Sequence, residues 1–223
     1  MQLVIGNKNY SSWSMRPWVL MKQLGIPFEE RKLRFDFTEG SAFRLAVAAI
    51  SPARRVPVLL DGDLAVWDSL AITETLAEQH PSVWPSAKAA RARARSLVCE
   101  MHSGFGALRN HCPMNIEASL PDVGARLWSE QAAVRDDVAR IEGAWADALA
   151  GSSGPFLFGE FSAADAFFAP VCMRISTYHL PVSSTTQAYV QRVSATRAVA
   201  AWVADSLAEK DYLDFDEPYR KAR

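Results

Sequence analysis

The chain has 223 residues, a formal net charge of −1 and 49% hydrophobic residues. That length builds one large domain or two small ones packed together. The near-neutral charge gives no global field for nucleic acid or an anionic membrane surface, and no run approaches the roughly 20 apolar residues of a membrane helix.

Cys99, Cys112 and Cys172 are odd in number, widely spaced and outside any CxxC pattern. They argue against a disulfide framework, a zinc site or a dithiol redox centre, and fit a reducing cytoplasm. The apolar run LVIG at the N-terminus is too short for a signal peptide core. The one basic stretch, AARARARS (89–96), reads as a solvated helix face, because alanine spaces its arginines and no aromatic interleaves.

In chain order, Gln2–Ile5 is a short apolar run consistent with a buried strand. Met15–Leu24 is predicted to be a helix, ended by Gly25 with Pro27 beyond it. Glu29–Phe35 reads as a strand with Leu33 and Phe35 on one face, and Ser41–Ile50 as a helix stopped by Ser51-Pro52. VPVLLDGDLAVWDS (56–69) places two β-rich runs around Asp61-Gly62-Asp63, a hairpin signal. Leu70–His80 is a third helix, closed by Pro81. The order β-α-β-α-β-β-α implies parallel pairing first and an antiparallel hairpin after it, hence a mixed sheet.

Residues 81–87, PSVWPSA, read as a linker. Beyond them the sequence carries no convincing strand; helices are predicted over 87–111, 122–149, 163–179, 184–193 and 195–208. Leu127, Ala133, Val134, Val138, Ile141 and Trp145 trace one stripe at helical spacing, as in a packed bundle. Ser162-Ala-Ala-Asp165 has the capping-box pattern at the start of a buried helix.

Three features of the first half are candidates for chemistry. With Ser14 as the cap of the first helix and Pro17 in its first turn, Ser11 and Ser12 are left in a loop after the first strand. Open α/β sheets bind ligands there, and a helix N-terminus favours an anion; plain turn residues are the alternative. Val56-Pro57 opens a β-rich run, where proline is either an ordinary trans strand start or a cis peptide leaving Val56 free to pair with an extended, peptide-like ligand. Asp68-Ser69 is either a simple cap or a site in which a carboxylate takes an ammonium while Ser69 and nearby N–H groups take a carboxylate.

Together these features resemble the cytosolic glutathione transferases over nearly the whole chain. SPARRVPVL (51–59) is similar to the family's N-P-x-x-x-V-P-x-L stretch, with Ser51 in place of Asn. GEFSAAD (159–165) is similar to the family's capping motif ending in S/T-x-A-D. Ser11-Ser12-Trp13-Ser14 followed by Met15 and Arg16 resembles the S-S-C-S start of the zeta class, which includes maleylacetoacetate isomerases; Trp13 replaces the class cysteine.

The resemblance implies an α+β, thioredoxin-like, glutathione-binding domain at 1–80, a linker at 81–87, and an all-α helical-bundle domain at 88–223. It implies glutathione as co-substrate, no metal, a small hydrophobic or unsaturated electrophile, and a cytoplasmic homodimer. Ser11 takes the place of the thiol-activating serine with Ser12 beside it, and Trp13 faces the thiol. Val56 and Pro57 hold the cysteinyl backbone, Arg55 reaches a carboxylate, and Asp68 and Ser69 hold the γ-glutamyl end. Met101, His102, Phe105, Leu108 and Arg109 line the second-substrate pocket, or are core and helix-face residues at ordinary spacing. The resemblance leaves three activities open: conjugation, glutathione-dependent cis–trans isomerisation, and a non-catalytic interaction module.

Overall fold

The computed structural model describes residues 1–222. Strand β1 (Gln2–Ile5) is the buried centre of the sheet, with Leu3, Val4 and Ile5 fully inaccessible. It pairs in parallel with β2 (Glu29–Lys32) and antiparallel with β3 (Val58–Asp61), which turns back into β4 (Leu64–Trp67). Gly62 supplies the positive φ of 58° that the tight hairpin turn needs. The strand order is β2-β1-β3-β4, a four-stranded mixed sheet. Helices α1 (Ser12–Leu24), α2 (Ala42–Ile50) and α3 (Ser69–Ala77) complete the thioredoxin-like half. Gly25 closes α1 in the left-handed conformation.

Strand β2 is shorter than predicted. It stops at Lys32, and its four charged residues face solvent, as suits a sheet edge. Phe35 leaves the strand: its N–H donates to the Asn7 side chain (2.7 Å) and its ring packs on Phe37 and Phe43.

The start of α1 also differs from the sequence expectation. The helix begins at Ser12, with Ser11 rather than Ser14 in the capping position, and Pro17 lies inside it. The entry is fixed by the Asn7 carbonyl, which accepts from the Tyr10 and Ser11 N–H groups (3.2 and 2.8 Å), and by Met15 N–H donating to Ser11 (3.0 Å). Pro17 removes the one helical bond that the Trp13 carbonyl would have received. Ser14, fully buried, serves another purpose: its Oγ accepts from the Gly6 N–H (3.2 Å) and ties the helix to the end of β1.

Between α3 and α4 the chain makes a 3-10 turn at Pro81–Val83 and buries Val83 and Trp84. The remaining described elements are the helices α4 (Lys88–Ser103), α5 (Gly106–His111), α6 (Pro121–Glu130), α7 (Ala132–Ala150), α8 (Ala163–Tyr178), α9 (Ser184–Ser194) and α10 (Arg197–Glu209), and a 3-10 turn at Asp214–Asp216. The single helices predicted over 87–111 and 122–149 are each two. The first breaks where Phe105 adopts a positive φ of 55°, next to Gly104, whose missing Cβ would sit 2.7 Å from the Glu100 carbonyl. The second breaks at Gln131, which leaves helical geometry between α6 and α7.

Helix α8 is the axis of this half, buried along nearly its whole length. Helix α1 packs on it, and on α3 and α10. Trp18 of α1 meets Trp202 of α10 edge-on, with centroids 5.2 Å apart. Lys8 lies over both rings, paired to Glu30 and Asp205, while its carbonyl accepts from the Trp202 indole N–H (3.0 Å).

At the head of α8, buried Asp165 accepts from the N–H of Ser162 (3.0 Å), the N–H of Leu157 (3.2 Å) and the hydroxyl of Tyr189 (2.8 Å). Burial pushes its carboxyl up to about 6, although these donors pull the other way. Asp165→Ala strands these donors, and the Ser162 hydroxyl that also donates to Asp165 (3.3 Å), in the interior, so a loss of about 3–5 kcal/mol is expected. Urea unfolding should report it as a lower midpoint with an unchanged slope.

Candidate functional site

Two adjoining cavities open where the C-terminal end of β1 meets the start of α1, and Trp13, Arg55 and Val56 line both. The first, about 330 Å³, also holds Tyr10, Ser11, Ser12 and Asp216. The second, about 400 Å³, adds Pro57, Trp67, Asp68, Ser69 and Arg109. The Val56-Pro57 bond is cis. The candidates from Ser11 to Ser69 therefore converge, although 58 positions of sequence separate the first from the last.

The two serines differ in their bonding. The Ser11 hydroxyl donates to Ser14 Oγ (2.7 Å). Ser12 Oγ accepts from Arg174 Nη2 (3.3 Å), a residue of α8 in the other half of the chain. Arg174 is buried and fully engaged: Nε donates to the Cys112 carbonyl (2.9 Å) and Nη1 to the Pro170 carbonyl (3.3 Å).

Asp68 stands at the head of α3 with a positive φ of 75°. Its Oδ1 accepts from the N–H groups of Leu70 (2.7 Å) and Ala71 (3.3 Å), and its Oδ2 lies 3.2 Å from His102 Nε2. Arg54, beside the cavities, is a second non-glycine residue with positive φ. Such conformations cost about 1–3 kcal/mol and collect where geometry serves function. The buried Ser69 hydroxyl has no protein partner among the described residues.

Cations surround Trp13. Arg16 stacks on its ring at 4.0 Å and on Phe167 at 5.1 Å; Arg109 lies over the same indole at 4.8 Å. Arg16 is 1% exposed, and its Nε and Nη1 lack hydrogen-bond partners among the described residues. Burial, with Arg109 and Arg174 adding to it, lowers this guanidinium to about 9, which leaves it charged at neutral pH. Arg109 caps α4, its Nη1 donating to the carbonyls of His102 and Gly104 (3.1 Å each).

The expected second-substrate wall is only partly realised. Met101 and Leu108 are fully buried and Phe105 nearly so; all three are core and line neither cavity. The stripe Ala94, Val98, Met101 turns inward, and α4 packs on α8. His102 meets Trp13 edge-on (5.1 Å) from behind the cavity wall.

Sequence reasoning missed Arg174 and Asp216. The first had a signal, being the one charged residue in the buried run AFFAPVCMR, where an arginine must find partners. Asp216 comes from beyond every predicted helix. Its segment is clasped to the loop before α1: Tyr10 and Asn115 both donate to Glu217 (2.7 Å each), and Arg220 bridges Glu217 and Glu117. Burial, and Glu217 beside it, push the Asp216 carboxyl up to about 6.

Family models for the glutathione S-transferase N-terminal domain and C-terminal domain match residues 10–79 and 88–205. The chain belongs to the glutathione S-transferase family. Theta-1 glutathione S-transferase of Homo sapiens is 33% identical over 98 residues, and theta-3 of Mus musculus 32% over the same length. Each match covers 43% of this glutathione S-transferase family member and 39% of the relative, so the aligned part spans about two fifths of those relatives' length. Similar solved structures include a glutathione transferase homologue of Burkholderia with bound glutathione (24% identity, TM-score 0.68, covering 93% of this chain and 98% of that one). Another is a maleylacetoacetate isomerase of Methylobacterium extorquens AM1 with malonate and glutathione (22%, TM-score 0.65, both chains fully covered). At these identities the likeness is one of fold.

Burial first, then Arg16 and Arg109, lower the His102 imidazole below its usual value, while Asp68 opposes them. The native state therefore binds this proton less readily than the unfolded chain, and its contribution to stability is lost as pH falls below about 6.5. In an NMR titration His102 should titrate below an exposed histidine, and Asp68→Asn should lower it further. An unchanged or raised value in that variant would remove Asp68 from the pair.

Proposed function

We propose that the protein is a glutathione transferase that lays glutathione across the two adjoining cavities and presents its sulfur to the start of α1. The observation that carries this reading is the meeting of two helix N-termini at one rim, one with serine hydroxyls and one with Asp68 and a Ser69 hydroxyl that has no partner among the described residues. An amino-acid head group complements the second: its ammonium meets the Asp68 carboxylate, and its carboxylate meets Ser69 and the N-terminus of α3. On binding, the ammonium takes Asp68 Oδ2 from His102. Val56 offers backbone groups to the peptide middle, and Arg55 takes the remaining carboxylate.

The sulfur then lies against the first turn of α1. A free thiol has a pKa of about 8.5 and reacts as the thiolate. A serine hydroxyl, the positive end of α1 and the nearby guanidinium groups of Arg16 and Arg174 favour the anion. The thiolate attacks an electrophilic carbon held beside Trp13 and Arg109, forming the carbon–sulfur bond as the leaving group departs or the double bond is saturated.

The Ser11-Ser12-Trp13-Ser14 start supports a second reading, glutathione-dependent cis–trans isomerisation of the maleylacetoacetate type. Turnover of maleylacetoacetate, set against conjugation of a halogenated aromatic and reduction of a peroxide, separates the two.

Calorimetry should detect glutathione binding to the full chain. Asp68→Asn, which keeps the Oδ1 acceptor that caps α3 but loses the charge, should weaken binding about tenfold or more, equivalent to about 1.4 kcal/mol. A wild-type protein that does not bind glutathione overturns this reading.

A further inference from the structure

Two neighbouring carboxylates in the segment after α10, Asp216 and Glu217, are bonded in opposite ways. Glu217 is buried and accepts from the Tyr10 hydroxyl and the Asn115 amide (2.7 Å each) and from Arg220 Nε (2.8 Å) and Nη2 (2.6 Å). Asp216 lines the first cavity with Ser11, Ser12 and Trp13, and its carboxylate has no hydrogen bond or ion pair among the described residues.

The segment that carries Asp216 is pinned on both sides. Before it, the N–H of buried Leu213 donates to the Tyr10 hydroxyl (3.4 Å), and Phe215 packs edge-on against Phe37 of the same cavity (centroids 5.0 Å apart). After it, the Tyr219 hydroxyl donates to the His111 carbonyl (2.6 Å). Glu217 is thus the anchor, and Asp216 is a carboxylate held in place with no partner of its own. The ionisable groups that face it are Glu217 on its own segment, and Tyr10, Arg54 and Arg55 on the cavity wall. Tyr10 is committed to Glu217, and neither arginine pairs with Asp216. Burial and Glu217 lift the Asp216 carboxyl to about 6, where it can take and return a proton near neutral pH.

We propose that Asp216 is the proton carrier of this site: its carboxylate takes the S–H proton as the thiolate forms, and returns it after the sulfur has added to an activated carbon–carbon double bond. The inference rests on the transferase reading, and it favours α,β-unsaturated carbonyl compounds over electrophiles that shed a halide. The steps balance. A sulfur lone pair forms the C–S bond at the β-carbon, the π electrons move to give the enolate, and the proton held on Asp216 closes the α-carbon. The carboxylate is regenerated, and nothing leaves. In a substitution the halide carries an electron pair away and no proton has to come back. A proton passes between such groups directly or through one water. The thiolate beside the carboxyl strengthens its hold on the proton, so the pair keeps it instead of losing it to solvent.

The first test counts protons. Glutathione is bound to the full chain at about pH 7.5 in two buffers of different ionisation enthalpy, and the calorimetric difference gives the protons released. Ultraviolet absorbance gives the thiolate formed. His102 titrates below this pH and does not enter the count. The unsubstituted chain should release less than about half a proton per thiolate, and Asp216→Asn about one. Asp216→Glu, which keeps a carboxyl, should return toward the unsubstituted value. The second test compares electrophiles. With benzalacetone, an enone, Asp216→Asn should lower kcat/KM about tenfold or more, part of what a positioned proton donor contributes. With chlorodinitrobenzene the loss should stay below about threefold.

An unsubstituted chain that releases about one proton per thiolate, or forms no thiolate, overturns the proposal whatever the variants do. No turnover of the enone, an equal loss with both electrophiles, or no loss with either overturns the return of the proton. Glutathione binding with full proton release removes this inference and leaves the transferase reading standing. Absence of glutathione binding removes both.

Discussion

The structure depends on one constraint: α1 has almost no solvent face. Ser12 and every residue from Ser14 to Met21 are buried, because the helix lies between the sheet on one side and α8 and α10 on the other. Met15, Trp18, Val19, Leu20 and Met21 each remove a large side chain from water, worth about 1.5–3 kcal/mol apiece. The same burial that joins the halves also fixes the first turn of α1, and with it Ser12 and Trp13, to within the tolerance of a packed core.

Against that apolar gain stands a local electrostatic cost. Arg16, Arg109 and Arg174 gather around Trp13 and Ser12, and of the three Arg16 keeps two buried nitrogens without partners among the described residues. Stacking on Trp13 and Phe167 offsets only part of the lost hydration. Under the glutathione reading proposed above, this concentration of positive charge, though it weakens the fold, complements a sulfur anion and two carboxylates.

Much of the first half was legible in the sequence because its signals are local. Gly25 with Pro27 stops a helix, Asp61-Gly62-Asp63 makes a hairpin, and Ser51-Pro52 ends another helix, each within a few residues. Pro17 is locally a helix-start signal, which points to Ser14 as the cap, but tertiary packing on α8 and α10 carries the helix through the proline and lets it begin at Ser12. The breaks at Phe105 and Gln131 carry no strong punctuation, so two pairs of helices read as two long ones. Residues 11, 12, 13, 55 to 57, 68 and 69 came together because the sheet topology brings strand ends to one edge. Periodicity gives the face of a helix but not its neighbour, so it does not tell a pocket wall from core at Met101 and Phe105, both of which are buried. Asp216 was out of reach, since nothing local says where a tail docks.

The three-point hold on Arg174 also shapes how this molecule can change over evolutionary time. Its acceptors belong to α1, to the loop after α5 and to α8 itself. No single exchange at position 174 keeps all three, and an exchange at position 12 leaves a buried cation short of a partner. New variants at either residue must therefore arrive in company. Sequence drift in the core of α8 and drift at the head of α1 are epistatically locked, while the exposed cavity wall at Trp67 is outside that lock and can diverge one substitution at a time.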